Sequence, residues 1–380
     1  MNDRQQKREK KPRRRRNGFL EILNALLTLI VIGMLLAGGA VLFGAQQFYS
    51  ASSVAEDTSF TVERGSGLNM VAQRLQDQGI ISNRYIFQLG SLALRRQGDL
   101  KAGEFRIPAG ASMSDILREL TEGSPIQYAV TIPEGFTSWQ VVERLNADSN
   151  LVGEIASLPA EGTILPQTYN YDRNNTRASV LEKMQEAHAA ALADIWESRD
   201  PDLPIETPEE LVILASIIEK ETGVADERRQ VASVFVNRLR RGMRLQSDPT
   251  IIYGITQGQG TLGRGLRRSE IDERTPYNTY QIDRLPPTPI ANPGIESLRA
   301  AANPDETEYL YFVADGTGGH AFARTYAEHR QNVANWRRIE AERASAAEQE
   351  SNAARDAVEA AEAAEAGEDV PAEVLEDAAP

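Results

Sequence analysis

Two carboxylates, Glu219 and Glu221, close an otherwise oily run, LVILASIIEKET, at residues 211–222. Thr207 is placed to cap a helix, Pro208 fits its first turn, and Glu210 completes a T-x-x-E capping box. Leu211, Leu214, Ala215 and Ile218 then recur at helical spacing. At 100° per residue Glu219 falls beside Val212 and Ala215, and Glu221 beside Leu214 and Ile217, while Lys220 points away with Ser216. A carboxyl held among apolar neighbours is lifted above the roughly 4.3 of a free glutamate, keeps its proton closer to neutrality and can act as an acid. Cleavage of a glycosidic bond requires such an acid. The two side chains project roughly 160° apart on the helical wheel, so they cannot share one cleft. The wheel leaves open which of them faces it, and a glutamate near a helix end is equally at home solvated or ion-paired.

Other chemistries find little footing. The chain has no cysteine, which removes disulfides and thiol chemistry. His188, His320 and His329 are scattered without H-x-x-x-H spacing, so no metal site or zinc hydrolase is expected. The segment GTGGH at 316–320 follows a strand but lacks the lysine frame of a phosphate loop and reads as a tight turn. Ser216, Ser233 and Ser247 lack a G-x-S-x-G frame. The formal net charge of −14 arises largely in an Ala/Glu-rich end, and basic residues form a block only at the start, so a nucleic-acid partner is unsupported.

The carrier of this helix divides into stretches of different composition. A basic leader at 1–18 precedes an apolar run at 19–46, long enough for a bilayer and longer than the 7–15 residues of a signal-peptide core. It reads as a single-pass anchor with a cytoplasmic N-terminus, which places the rest outside the membrane. An α+β pattern comes next. Strands are expected over 59–63, 101–107 and 127–132. Helices are expected over 68–78 (Met70, Val71 and Leu75 inward), 83–94 (introduced by Ser82), 112–120 (Ser112 with Asp115) and 138–147 (capped by Thr137 or Ser138). Residues 51–125 make one small module and 126–160 a second segment or connector, neither with evident catalytic residues.

A larger domain spans 161–338, with helices expected over 178–198, 207–222 and 226–241. The last buries Val231, Val234, Phe235 and Leu239 and stops at Gly242. Residues 243–295, rich in Gly, Pro, Asn, Thr and Tyr, read as a loop-built cleft in which Asp248-Pro249 starts a turn. A strand is expected over 309–313. The end, 339–380, is low in large apolar residues, a solvated helix over 339–364 and then disorder.

LASIIEKET, VASVFVNRL, MRLQSDPTIIYG, TPYNTY, LPPTPIANPG and YLYFVADGTGGHAF succeed one another in this order. In this the chain closely resembles the membrane-anchored endolytic murein (peptidoglycan) transglycosylases, the YceG-like family, from the anchor to about residue 333. The resemblance implies peptidoglycan glycan strands as substrate. It implies non-hydrolytic cleavage of the β-1,4 bond between N-acetylmuramic acid and N-acetylglucosamine, leaving 1,6-anhydro ends, with no cofactor. It also implies a LysM-like region over 60–108, a partly lysozyme-like catalytic domain outside the inner membrane (the periplasmic side), and contacts with peptidoglycan synthases and division or elongation proteins. The family's catalytic glutamate is the first of E-K-E-T, which is Glu219 here; Glu221 then takes a supporting role. Gln246, Asp248, Tyr253, Asn278 and Tyr280 become candidates for holding the sugar.

One segment departs from the family pattern E-G-[YF]-L-[FL]-P-[DE]-T-Y: residues 161–169 read EGTILPQTY, with Thr163 and Gln167 at the variant positions. Two other readings compete. A hydrolytic muramidase would add water and a second carboxylate, Asp248 or Glu161, about 5–9.5 Å away. A non-catalytic wall-binding scaffold would bind strands without cutting them.

Overall fold

The computed structural model describes residues 18–51 and 54–365. The basic leader up to residue 17 and the end of the Ala/Glu stretch lie outside the described residues. The chain forms two units, dividing after Gln127.

In the first unit, α1 (Gly18–Tyr49) is followed by β1 (Thr58–Val62), α2 (Leu68–Asp77), α3 (Arg84–Ala93), β2 (Gly103–Ile107) and α4 (Met113–Glu122). Within α1, residues Phe19–Tyr49 are long and apolar enough to cross a membrane. Strands β1 and β2 pair antiparallel, with Phe60 opposite Phe105. These two rings join Val71, Leu75, Phe87, Ile107, Ile116 and Leu120 in one buried core, each large side chain contributing about 1.5–3 kcal/mol. Phe48, in the last turn of α1, belongs to this core. Its ring lies where a Cβ on Gly90 would sit, 2.3 Å from that position. Ser112 and Asp115 close the expected capping box of α4. Two local expectations fail. Met70 faces outward at 53 % exposure while Ala72 is buried. Helix α3 is capped by Asn83 rather than Ser82, its carboxamide oxygen accepting from the amides of Tyr85 and Ile86.

The second unit contains β3 (Gln127–Thr131), α5 (Ser138–Asn146), β4 (Thr168–Asp172), α6 (Arg177–Glu197), α7 (Pro208–Glu221), α8 (Arg228–Arg240), α9 (Asp248–Thr256), α10 (Arg268–Asp272), α11 (Ile295–Ala302), β5 (Tyr311–Ala314), β6 (His320–Ala323) and α12 (Tyr326–Glu365). β3 pairs with β4, which ties residues 128–160 to the larger domain. Thr137 caps α5 in a capping box with Gln140.

The main core surrounds α7. All eight residues from Leu211 to Ile218 are buried, against α8, α11 and the end of α6. A helix apolar on every side is a core helix, and Val231, Val234, Phe235 and Leu239 of α8 are buried as expected. Thr207 caps α7 by accepting from the amide of Glu210, but the Glu210 carboxylate turns to the amide of Glu206.

Where a loop-built stretch was expected, α9 forms: Asp248-Pro249 opens a helix instead of a turn, since a proline in the first turn forfeits no helical hydrogen bond. The GTGGH segment does make a tight turn between β5 and β6, with Asp315 accepting from the Thr317 amide at 2.7 Å. Helix α12 starts earlier than the tail composition indicated, because His329 stacks on Tyr311 and Ile339 packs at Gly316. Beyond those contacts its described side chains are exposed.

Candidate active site

Glu219 sits one residue past the fully buried part of α7, half-buried. Its Oε2 accepts two hydrogen bonds, from the Gly294 amide at 3.0 Å and from Ser297 Oγ at 2.6 Å. Oε1 has no hydrogen-bond partner among the described residues. An amide nitrogen only donates, so Oε2 is an acceptor in either charge state of the carboxyl.

The loop that carries Gly294 is fixed by several ties. Ser216, one turn before Glu219 on α7, accepts from the Ile290 amide at 3.0 Å while donating to Ile213 O. Asn292 donates through its amide and its Nδ2 to Phe136 O, and its Oδ1 accepts from the Ile164 amide. Gly135, in the left-handed region at φ +72°, donates its amide to Asn292 O at 3.1 Å. A Cβ on Gly135 would stand 3.4 Å from Cγ of Glu219. Gly162, also left-handed, lets Pro289 and Val212 close in; a Cβ there would lie 2.5 Å from the Pro289 ring. The motifs EGTILP and LPPTPIANPG thus build one wall against α7.

A cleft of about 440 Å³ opens beside this wall, lined among others by Thr137, Gln140, Lys220, Tyr253, Thr256 and Arg264. Lys220 lines this cleft with Ile290, whose amide Ser216 holds, and its long side chain reaches over the turn at Gly135, with Nζ 3.4 Å from Gly135 O.

The other sequence candidates are scattered over different tasks. Tyr253 lines the cleft, and its hydroxyl donates to Glu161 at 3.2 Å. Asp248 accepts from Tyr280 Oη at 2.7 Å at the start of α9. Gln246, exposed and left-handed at φ +53°, accepts weakly from Arg238 at 3.4 Å. Asn278 is fully buried, and its Nδ2 is spent on the carbonyls of Glu270, Ile271 and Glu273. It pins a loop and offers nothing to a sugar.

Glu221 points to a separate place. Ser247 Oγ donates to it at 2.5 Å, and burial raises its carboxyl above the usual range, opposed by that hydrogen bond. Glu161 is likewise pushed up by burial and restrained by hydrogen bonds from Ser138 and Tyr253, and it also accepts from Asn292 Nδ2 at 3.1 Å.

Sequence reasoning missed Glu134, Arg228, Gly294 and Ser297. Glu134 lies in the turn between β3 and α5, in the stretch read as a connector. Burial raises its carboxyl, and the neighbouring charge of Glu219 raises it further. Its cation is Arg228, with Nη2 3.8 Å from Oε2. The one available signal was Gly294 within the LPPTPIANPG motif. Among the described residues no group of His, Asp and Glu is arranged to hold a metal ion.

With α7, its carboxyl cradle and the motif-built wall in place, comparison with known proteins becomes informative. The YceG-like family model matches residues 60–335, and the chain belongs to that family. The endolytic murein transglycosylase of Bacillus subtilis (strain 168) is 28 % identical over 329 residues, 78 % of this chain and 89 % of that protein. The endolytic murein transglycosylase of Streptococcus pneumoniae serotype 2 (strain D39 / NCTC 7466) is 28 % identical over 360 residues, 80 % of this chain and 64 % of that longer protein. A crystal structure of a YceG-like protein from Listeria monocytogenes is 27 % identical, covering 73 % of this chain and 98 % of that one, with a TM-score of 0.46.

Proposed function

We propose that the protein is an endolytic peptidoglycan lytic transglycosylase in which Glu219 serves as acid and then as base. The supporting observation is the asymmetry of its carboxyl: Oε2 is held by two donors and Oε1 is unengaged. The proton on Oε1 passes to the glycosidic oxygen as the bond between N-acetylmuramic acid and N-acetylglucosamine breaks and positive charge builds on the sugar. The resulting carboxylate then takes the proton of the C6 hydroxyl of the same muramic residue, whose oxygen closes a 1,6-anhydro ring. The nucleophile is part of the substrate, so neither an activated water nor a second catalytic carboxylate enters the balance.

Tyr253 and the cleft residues around it contact the strand. The apolar α1 holds the chain in the inner membrane as a single-pass anchor, its N-terminus cytoplasmic and its catalytic domain periplasmic. The first unit, LysM-like over 60–108, engages glycan, and the catalytic domain has partial lysozyme-like character. In the cell the reaction terminates nascent strands beside peptidoglycan synthases and the division or elongation proteins.

Mass spectrometry of sacculi digested by the full chain in detergent tests the reading. Anhydro-muramic ends are expected; reducing ends carrying an added water would replace it with a muramidase. That second reading has one observation in its favour, a carboxylate near Glu219. The carboxylate is Glu134, because Asp248 is taken up by Tyr280 and Glu161 by Ser138, Asn292 and Tyr253.

A further inference from the structure

We infer that α3 is a second membrane contact: its exposed apolar face, continuous with the outer end of α1, docks into the headgroup and upper acyl region of the bilayer that α1 spans. The inference rests on the reading of α1 as a membrane anchor.

The depth follows from α1 itself. Glu21 is the last charged residue before a stretch without Asp, Glu, Lys or Arg that runs to Ala55. A hydrocarbon core of about 30 Å takes up about 20 helical residues, which counted from Ile22 end near Val41. Phe48, about 10 Å further along the helix, is already buried in the core of the first unit. Helix α3 packs against this intervening stretch. The two helices border an apolar groove of about 480 Å³, lined by Val41, Gly44 and Phe48 from α1 and by Leu89, Ala93 and Leu94 from α3 and its end. With α1 across the bilayer, α3 stands at headgroup depth.

The face that α3 turns outward is apolar. Tyr85, Leu89 and Leu92 recur at i, i+4 and i+7 and are 59 %, 67 % and 58 % exposed, while Phe87 and Ser91 on the other side are buried. Exposed leucines scattered singly need no explanation, but a contiguous stripe that runs into an apolar groove does.

The flanks suit a lipid surface. From Gln78 to Gly98 there is no acidic residue, and the cations are Arg84, Arg95 and Arg96. Arg96 is paired with Asp99 and Glu122, whereas Arg84 and Arg95 have no ion pair among the described residues. Arg84 lies over the Tyr85 ring at 4.7 Å and donates to its hydroxyl. Such a helix settles with its leucines in the acyl boundary, its tyrosine at headgroup level and its arginines on anionic phosphates. Docking covers the groove with lipid and holds the first unit to the bilayer by two helices instead of one.

The test uses the absence of native cysteine, which lets a single introduced thiol report one position. Full-chain Leu89→Cys, Leu92→Cys and Leu29→Cys, each carrying a polarity-sensitive fluorophore, are placed in vesicles of phosphatidylethanolamine and phosphatidylglycerol. Emission is compared with and without nitroxide-labelled lipid, and thermal unfolding in detergent checks the fold. Labels at 89 and 92 are expected to lose most of their emission to a shallow nitroxide, and the label at 29, in mid-α1, to a deep one. The pair Leu89→Glu and Leu92→Glu, both at exposed positions, should return a label at Tyr85→Cys to aqueous emission. Quenching at 29 with none at 89 or 92 overturns the inference and leaves the anchor standing. No quenching at 29 defeats the anchor reading and the inference with it. A disulfide between unlabelled Leu89→Cys copies, with no quenching of the labelled form, gives the face to a second copy and also overturns it.

Discussion

Ser297 donates its hydroxyl to Oε2 of Glu219 at 2.6 Å, one helix presenting a donor to the end of another. Together with the Gly294 amide this fixes which oxygen of the carboxyl is free, and it makes the orientation of that carboxyl a property of α11 as much as of α7.

Glu219→Gln removes the transferable proton and leaves the amide able to accept from Gly294 and Ser297. Cleavage of purified glycan strands should fall by about 10²–10⁴-fold, with the thermal unfolding midpoint little changed. Wild-type release of soluble fragments by this variant would end the assignment.

Ser297→Ala deletes one of two donors to Oε2 without emptying a large volume. A hydrogen bond to a charged group contributes about 1.5–3 kcal/mol, so kcat should drop by roughly tenfold or more while KM stays near the wild-type value. Steady-state kinetics on strands of defined length separates the two; an unchanged kcat would mean that the Gly294 amide alone orients the acid.

Ser247→Ala should act on stability before activity. It strips Glu221 of the hydroxyl that donates at 2.5 Å and leaves a desolvated carboxyl unsatisfied, a loss of about 1–3 kcal/mol. Denaturant unfolding would show it. Glu221→Gln, which still accepts from Ser247, should be milder in stability and far less harmful to cleavage than Glu219→Gln.

His188 gives the second unit a pH dependence of known sign. Burial holds its imidazole below the ordinary 6.5, and Nε2 has no partner among the described residues. The unfolded chain therefore takes up a proton at a higher pH than the folded one. Stability is full above about pH 6.5 and declines as the pH falls from there toward the lowered folded value. His188→Leu should flatten that decline in melting curves taken between pH 5 and 8; an identical slope in both proteins would assign it elsewhere.

How much of this was legible in the chain depends on the range of the forces involved. Caps and apolar periodicity are local, so Thr207, Ser112–Asp115 and the buried face of α8 could be read directly. The choice between Glu219 and Glu221 could not, because α7 is buried all round and its own period contains no preferred side. Family resemblance named Glu219; in the structure its carboxyl is held by the Gly294 amide and the Ser297 hydroxyl. Asp248-Pro249 misled because a proline that ends one helix suits the first turn of another. Asn278 and Tyr280 drew attention as polar groups in a loop, yet the first is consumed in pinning that loop to its own backbone. Glu134 was hidden most thoroughly. It lies in a turn far upstream of α7, and the ties of Asn292 to Gly135 and Phe136 hold that turn against the loop of Gly294.

Phe48 closes the membrane-helix candidate and, at the same time, plugs the small module behind it, its ring resting on the bare backbone of Gly90. Clipping α1 away as a processed leader would pull that plug and leave an aromatic-sized hole, a penalty of about 3–5 kcal/mol. The apolar helix and the folded body therefore share one core through this ring. Any soluble fragment that retains a sound first unit should begin upstream of Phe48.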